Sequence, residues 1–236
     1  MKIKIDNTYL TEIARYNPMK YVILSLDGNV GGGKSYLLKQ IRKRFPAFKI
    51  VDEPVGQWTE IVNEHGENML ELFYKDKKRW GYTFQTCALL TRQKNMQAMI
   101  EQLDDTADET YVIITERSIL TDKYIFADML HRTGYMSDLE WDLYNKLFDA
   151  LSQQHQVDGV IYVSTSAVTS KDRIMIRGRP EEETISIDYL NDLDKQHEKW
   201  LSSTTIPVCS VSTEPGSSLD TVLEQINNFV ERLRHK

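Results

Sequence analysis

The stretch GNVGGGKS at residues 28–35 constrains the fold of this chain most, because it follows a short apolar run and precedes a helical pattern. It matches the phosphate-loop pattern G-x-x-x-x-G-K-[ST] at every fixed position. In such a loop glycines let backbone N–H groups point inward, and the following helix adds its positive N-terminal end. Lys34 would reach the β- and γ-phosphates, and the Ser35 hydroxyl would ligate Mg²⁺. The predicted nucleoside triphosphate site consists of Gly28, Asn29, Val30, Gly31, Gly32, Gly33, Lys34 and Ser35.

The composition fits a soluble globular protein and argues against two kinds of partner. The 236 residues carry a net charge of −6, whereas nucleic-acid binding depends on cationic contacts to phosphate. The apolar runs are far shorter than the roughly 20 residues of a membrane-spanning helix. The two cysteines have no metal-binding or redox spacing, which indicates a reducing compartment. Acidic residues among the first twenty argue against a signal peptide, so we expect a cytoplasmic protein that binds neither nucleic acid nor membranes.

Five short apolar runs alternate with segments of helical periodicity. The runs are typical of strands buried on both faces in a parallel sheet. They are residues 21–26, 48–52, 111–115, 159–163 and 207–211. Helical patterns occupy 34–45, 79–103 and 137–155, with Ser186 and Ser217 as candidate starts of two more helices. The alternation predicts an α/β fold with a five-stranded parallel sheet flanked by helices. Without a repeat or linker, residues 1–236 are predicted to form one domain, with 1–20 as an N-terminal extension.

Charged residues follow two of the predicted strands. The carboxyl ends of parallel strands face the ligand crevice in this architecture. The second strand ends in DEPVGQW (52–58) and the third in TERS (115–118). Glu53 is therefore placed to take a proton from an acceptor hydroxyl, and Glu116 and Arg117 suit a phosphate or metal role. An exposed loop glutamate and a surface ion pair are the alternative interpretations.

The long helical segment carries Gln85 and, seven residues later, Arg92. Seven residues are close to two turns, so the two side chains share a helix face. A buried amide and guanidinium need polar partners, and the edge of a nucleobase would provide them. A solvated helix face is the alternative for Arg92.

The wider pattern of motifs distinguishes a kinase from a GTPase. The only near match to the guanine motif N-K-x-D is NKLFD at 145–149, with the aspartate one residue too far along. The motifs GNVGGGKS, EPVGQW, RWGYTFQT, ERSILTDKYIFA, RIMIRGRPEEE and DYLNDLDKQHEKWL resemble those of the deoxynucleoside kinase family, in its order and spacing. The similarity covers about residues 20–202 and points to the branch of deoxycytidine, deoxyguanosine and deoxyadenosine kinases. It implies a P-loop kinase fold that transfers the γ-phosphate of ATP to the 5′-hydroxyl of a deoxynucleoside in nucleotide salvage.

The resemblance implies roles in phosphoryl transfer. Glu53 would be the general base that activates the 5′-hydroxyl. Arg117 would hold the 5′-oxygen and the incoming phosphoryl group, and Lys34 would act with it on the phosphates. Ser35 and Glu116 would bind Mg²⁺, directly or through water.

The resemblance also implies a nucleoside pocket. Phe126 would stack on the base, Trp58 would line the pocket, Gln85 would read the base edge, and Tyr74 and Glu182 would bind the 3′-hydroxyl. Core packing is the alternative for the aromatic residues. The implied nucleoside-binding residues are Glu53, Trp58, Tyr74, Phe84, Gln85, Arg92, Arg117, Asp122, Phe126 and Glu182.

The charged stretch RIMIRGRPEEE at 173–183 resembles the arginine-rich lid of this family, which here spans 173–184. Arg173 and Arg177 lie four residues apart and can share a helix face, whereas Arg179 follows a glycine where the backbone can turn. The first two arginines would neutralise the triphosphate. Arg179 with Glu181 would lock the closed lid. A solvated charged loop is the alternative.

The choice of nucleoside depends on Arg92 and Asp122, which occupy the positions of an Arg–Asp pair at the base end of the pocket in this branch. An ionised carboxylate only accepts hydrogen bonds. It therefore matches the exocyclic amine of cytosine or adenine and opposes the O4 atom of thymine. We expect deoxycytidine and purine deoxynucleosides to be better substrates than thymidine, with their own order left open.

Two further expectations come from the resemblance alone. ATP is the default donor, with its base near 212–216 and stacked on Arg173. A homodimer would use the amphipathic segments 80–103 and 137–155, although core burial explains their apolar faces equally well.

Two other functions remain as alternatives. A nucleoside monophosphate kinase also has a phosphate loop and an arginine lid, but the Glu53 carboxylate would repel a monophosphate acceptor. A regulatory module that binds nucleotide without catalysis is the second alternative.

Overall fold

The computed structural model of the protein describes residues 21–104, 106 and 109–234. The predicted N-terminal extension at 1–20 therefore lies outside the described residues. In the described part, five strands form one parallel sheet in the order β2-β3-β1-β4-β5. They are β1 (Tyr21–Gly28), β2 (Lys49–Val51), β3 (Tyr111–Glu116), β4 (Gly159–Ser164) and β5 (Val208–Ser212). Each strand overlaps one predicted run, so the α/β fold is confirmed, while the single-domain organisation stays a prediction.

Helices flank the sheet and include the predicted segments, with slightly different ends. The α-helices of the described residues are α1 (Lys34–Arg44), α2 (Val55–Glu60), α3 (Met69–Lys75), α4 (Lys77–Ile100), α5 (Ile119–Thr121), α6 (Asp128–Arg132), α7 (Asp138–Ser152), α8 (Ala167–Arg177), α9 (Ile187–Ser203) and α10 (Leu219–Arg234). A π-helix (Asp122–Ala127) joins α5 to α6, and a 3-10 turn (Pro180–Glu182) follows α8. Among these elements, no helix has both the length and the apolar character needed to cross a membrane.

The starts of three helices follow local side-chain chemistry. Ser137 forms the predicted capping box with Glu140 at the start of α7. Ser186 caps α9, as predicted, by accepting a backbone N–H in its first turn. For α10 the prediction was one residue early: Ser218, rather than Ser217, accepts the backbone N–H three residues on, at 3.4 Å. A hydroxyl at such a position satisfies one of the N–H groups that a helix leaves unpaired.

Alternate residues of the central strands face different helices, because successive side chains of a strand point to opposite faces. Leu24 of β1 and Ile114 of β3 pack in a core that α1 and α10 cover. Ile23 and Ile113 pack on the other face with Met96 of α4. Both faces of the sheet are therefore covered, which is why the strand sequences are nearly all apolar.

The order of the strands reverses at β1. The chain passes from β1 to the edge strand β2, returns to β3 beside β1, and then adds β4 and β5 on the other side. Ligands of open α/β sheets bind at the carboxyl ends of the strands where the order reverses. The phosphate loop follows β1, Glu53 follows β2 and Glu116 ends β3, so the predicted site residues meet at this edge.

Candidate active site

The phosphate loop turns between β1 and α1 through glycines with positive φ. At Gly31, with φ 76°, a Cβ atom would lie 2.3 Å from the carbonyl oxygen of Ser170 in α8. Gly33, with φ 88°, is the N-cap of α1. Only glycine fits the close approach at Gly31, because any side chain would push α8 away from the loop.

Lys34 lies buried beneath the loop. Its Nζ donates to the carbonyl oxygens of Gly28 (3.2 Å) and Asn29 (2.7 Å). Burial, together with the charge of Arg117, lowers the pKa of Lys34 to about 7. The environment therefore disfavours the charged ammonium, and a negatively charged group at the loop would restore it.

Two of the predicted loop residues do not line the cavity above the loop. Gly28 accepts hydrogen bonds through its carbonyl, as described. The side chain of Asn29 points away and donates to the carbonyl oxygen of Leu190 (2.9 Å) and to Asp194 Oδ1 (2.8 Å), both in α9. The structure thus assigns Asn29 a contact with α9 in addition to its place in the loop.

Glu53 is held by two arginines at the wall of the cavity. Arg92 Nη2 and Arg117 Nη1 both lie 2.7 Å from its Oε1 atom. Burial alone would raise the pKa of Glu53, but the charges of Arg117 and Arg92 outweigh burial and lower this pKa well below its usual range. Among the described residues, no donor binds Oε2, so this oxygen can accept a hydrogen bond from a ligand hydroxyl.

Arg117 has an unusual backbone. It is the one non-glycine residue of the described part with positive φ, at 60°, and such strain is typical of functional sites. Its guanidinium carbon lies 5.1 Å from the ring centre of Phe126, and its Nη2 is 3.3 Å from the Gly28 carbonyl oxygen. One arginine therefore contacts the phosphate loop, the acceptor carboxylate and the wall where a base would stack.

Arg92 links Glu53 to Asp122 along one wall of the cavity. Its Nε atom lies 3.1 and 3.0 Å from the two carboxylate oxygens of Asp122, and its Nη1 donates to the Glu116 carbonyl oxygen at 2.8 Å. With the contact to Glu53, all three nitrogens have partners. The side chain is 5% exposed, so the solvated-face alternative is wrong. Burial raises the pKa of Asp122 to about 6 despite the charge of Arg92, which leaves the carboxylate mainly ionised at neutral pH.

Ser35 and Glu116 meet at the end of the loop. The Ser35 hydroxyl lies 3.0 Å from Glu116 Oε1. Burial and the negative charge of Glu53 raise the pKa of Glu116. A hydroxyl and a carboxylate are the hard oxygen ligands that Mg²⁺ prefers, usually beside waters and phosphate oxygens. In the part of the chain that the structure describes, His, Cys, Asp and Glu form no cluster of three that could hold a metal alone.

A cavity of about 270 Å³ joins these groups. Trp58, Tyr74, Phe84 and Phe126 line it as predicted, so these rings are not used only for core packing. Burial raises the pKa of Tyr74 well above its ordinary value, which keeps its hydroxyl protonated. Sequence reasoning missed five more residues of the wall, because apolar and aromatic side chains give no motif: Tyr36, Val55, Leu70, Phe73 and Ala88.

Gln85 supplies the clearest sign of a polar ligand in this cavity. Its side chain lines the wall, and its Oε1 atom is buried without a hydrogen-bond partner. Buried polar atoms are almost always paired. A donor on a bound molecule would therefore satisfy this amide.

The segment predicted to form a lid differs in its pairing from the prediction. Arg177 and Arg179 both pair with Glu182, the latter at 3.1 Å. The predicted pair of Arg179 with Glu181 is wrong, because Glu181 instead accepts a hydrogen bond from Asn68 (2.9 Å) at the start of α3. Gly178 ends α8 in a left-handed conformation, and in the 3-10 turn that follows it is Glu182 that accepts from both arginines.

Arg173 lies apart from the other two lid arginines, at the donor end. Its Nη1 and Nη2 atoms donate to Thr213 Oγ1 (3.2 Å) and to the Thr213 carbonyl oxygen (2.5 Å). A second cavity of about 270 Å³ opens beside it, lined by Tyr36, Leu37, Ser212, Thr213 and Glu214 among others. The predicted segment 212–216 therefore borders a cavity next to the phosphate loop.

The chain is similar to known proteins over most of its length. A family profile described as deoxynucleoside kinase matches residues 24–235. A probable deoxycytidine kinase of fowlpox virus is 37% identical over 223 residues, which cover 89% of this chain and 88% of that protein. The mitochondrial deoxyguanosine kinase of Xenopus laevis is 32% identical, over 86% of this chain and 82% of that protein. Human deoxycytidine kinase is 32% identical, over 78% of this chain and 76% of that protein.

Proposed function

The chain belongs to the deoxynucleoside kinase family, and from this premise we propose that it phosphorylates deoxycytidine, deoxyadenosine or deoxyguanosine in preference to thymidine, with ATP as donor. One observation carries the proposal. Glu53, Arg92 and Asp122 form a continuous chain of ion pairs along one wall of the cavity. The carboxylate at one end suits a neutral hydroxyl, and the carboxylate at the other end suits an amine.

In the proposed reaction, the Oε2 atom of Glu53 accepts the hydrogen of the sugar 5′-hydroxyl. Arg92 and Arg117 hold the opposite oxygen and fix the orientation of the carboxylate. Such positioning carries most of the catalysis in phosphoryl transfer, because the transition state needs little covalent help. A monophosphate acceptor would meet the same negative charge and be repelled.

At the base end, Asp122 accepts a hydrogen bond from the exocyclic amine of cytosine or adenine. Gln85 supplies its unpaired Oε1 to the other hydrogen of the same amine, and Phe126 stacks on the ring face. Tyr74 and Glu182 are assigned to the 3′-hydroxyl, since both line the same cavity. Thymine presents O4 to Asp122, which places two acceptors against each other.

At the donor end, the phosphates lie on the loop, with Lys34 and the lid arginines Arg173, Arg177 and Arg179 around them. Ser35 and Glu116 would hold Mg²⁺, which supplies charge neutralisation to the bound triphosphate. The adenine lies in the cavity beside Thr213. These assignments keep the segment 173–184 as a lid over the donor.

A homodimer through α4 and α7 is part of the proposal. Leu90 of α4 and Leu139 and Leu143 of α7 stay exposed in the single chain, at 49%, 71% and 44%. Burial in the core of the single chain therefore does not explain why these three positions are apolar. An exposed apolar face on neighbouring helices suits a second copy of the chain, and light scattering of the purified protein measures the oligomeric state.

A cytoplasmic location completes the proposal. Both cysteines, Cys87 and Cys209, are free thiols, as is usual in reducing compartments. One relative is named as mitochondrial, so cell fractionation is the measurement that decides between the two locations.

An ATP-dependent phosphorylation assay across the four deoxynucleosides tests the proposed function. We expect kcat/KM to be lowest for thymidine. In Asp122→Asn the new amide also donates a hydrogen bond, so the preference for deoxycytidine over thymidine should fall by about tenfold, as expected when one buried mismatch is relieved.

The matched control for that substitution is Asp149→Asn, which changes a 70% exposed carboxylate of α7. Its preference should equal that of the unmodified protein. Thymidine as the best substrate of the unmodified protein would contradict the proposal.

A further inference from the structure

The base end of the cavity is built on a π-helix, Asp122–Ala127. This element carries Asp122 and Phe126 on the cavity wall. On its outer side, the Tyr124 ring stacks on Trp200 of α9, with ring centres 6.0 Å apart and planes 11° apart. Short π-helices interrupt ordinary helices and often occur at functional sites. Something must hold this wide turn in register, since α-helical geometry would place both cavity residues differently.

Gln196 of α9 binds the π-helix directly. Its Nε2 atom lies 2.6 Å from the carbonyl oxygen of Tyr124, in the middle of the π-helix, and 2.5 Å from Asp128 Oδ2, just after it. Its Oε1 atom accepts from Arg132 Nη1 at 2.9 Å. The residue is 4% exposed. Both ends of the amide are thus paired, and the donor end is used entirely on the π-helix and its border.

The same helix, α9, also contacts the phosphate loop. Asn29 donates to Leu190 and Asp194, which lie six and two residues before Gln196. One rigid element therefore touches the donor loop at one point and the base wall at another. A change confined to Gln196 should disturb the base wall and leave the loop contact in place.

We propose that Gln196 is a positioning residue for the nucleoside base. By holding the Tyr124 carbonyl, it fixes the π-helix and so the placement of Asp122 and Phe126. The inference rests on the proposed nucleoside site. A purely structural glutamine would lower stability without separating the two substrates, whereas a positioning residue affects the nucleoside alone.

The test is Gln196→Leu, which keeps the approximate volume and removes both hydrogen-bonding ends. We expect KM for deoxycytidine to rise about five- to tenfold, the size of one or two lost neutral hydrogen bonds. KM for ATP should stay within about twofold. Amide hydrogen exchange over 122–128, measured without substrates, should become faster, while exchange over the phosphate loop should not change.

Two further variants control this experiment. Lys199→Met removes a cation 3.6 Å from the same Asp128 carboxylate without touching the Tyr124 carbonyl, and it should leave both KM values unchanged. Gln196→Lys restores a donor for Tyr124 and Asp128 and should recover most of the deoxycytidine KM.

An equal change in both KM values, or no change in the deoxycytidine KM, would overturn the inference, as would unaltered exchange over 122–128. Absence of phosphorylation in the unmodified protein would instead count against the proposed function. The exchange measurement still reports whether Gln196 anchors the π-helix in that case.

Discussion

The two halves of the cavity are built by different means. The half proposed for the donor is centred on the continuous loop 28–35, with glycine required where α8 approaches Gly31, and Arg173, Arg177 and Arg179 complete its wall. The acceptor half is assembled from side chains on α2, α3, α4, β3 and the π-helix, and buried ion pairs centred on Arg92 join it. A site formed by backbone is local in the sequence and is sensitive to the volume of any side chain added to it. A side-chain site is distributed and sensitive to charge, because a buried charge without its partner is costly.

The sharpest test of the acceptor half is Glu53→Gln. The amide cannot take a proton, so we expect kcat to fall by about 10²–10⁴-fold while nucleoside binding persists. Single-turnover kinetics and calorimetric titration with deoxycytidine measure the two quantities. Melting temperatures show whether the unpaired arginines destabilise the fold.

Asp52→Asn is the control for this change, since the neighbouring Asp52 pairs with Arg42 at the surface (2.9 Å). We expect its kcat to stay within about twofold of the unmodified protein. A Glu53→Gln protein that retained most of its kcat would show that the acceptor half works without a charged carboxylate.

For the donor half the corresponding test is Gly31→Ala. The methyl group meets the Ser170 carbonyl at 2.3 Å and requires a left-handed backbone. We expect KM for ATP to rise roughly 10–100-fold, with the dissociation constant of deoxycytidine unchanged. Gly56→Ala is the matched control, because no atom lies within 4 Å of its added carbon, and it should be neutral or slightly stabilising. Equal changes in the KM for ATP in Gly31→Ala and Gly56→Ala would show that the phosphate loop is not especially sensitive to side-chain volume.

The two halves should also differ in their response to pH. The pKa of Lys34 is about 7, and a bound triphosphate favours the charged ammonium. Binding above pH 7 therefore takes up a proton, so ATP affinity falls as pH rises, by up to about tenfold per pH unit. The pKa of Glu53 is lowered, so its charge stays constant over this range.

Steady-state kinetics between about pH 7 and 9 measure this difference. KM for ATP should rise while KM for deoxycytidine stays level. Calorimetric titration with ATP in two buffers of different ionisation enthalpy measures the number of protons taken up on binding. A flat KM for ATP would mean that Lys34 is already charged in the free protein.

The same contrast explains what the sequence could predict. The phosphate loop could be predicted because its pattern, the preceding strand and the following helix are contiguous in the sequence. The strands could be predicted because burial on both faces leaves them apolar. The positions of Gln85 and Arg92 on one helix face followed from periodicity, but their partners did not. Arg179 pairs with Glu182 after a left-handed residue, Gly178, and the π-helix is bound by Gln196, which is distant in the sequence. Tertiary contacts of this kind leave no local pattern.

The Glu182 carboxylate has two roles, one observed and one proposed. It pairs with Arg177 and Arg179, and it is also the proposed partner of the sugar 3′-hydroxyl. Whatever occupies this carboxylate also sets how much positive charge the lid can offer to the phosphates. If Glu182 binds the sugar as proposed, the two substrates would be coupled through this one carboxylate, because it also pairs with Arg177 and Arg179.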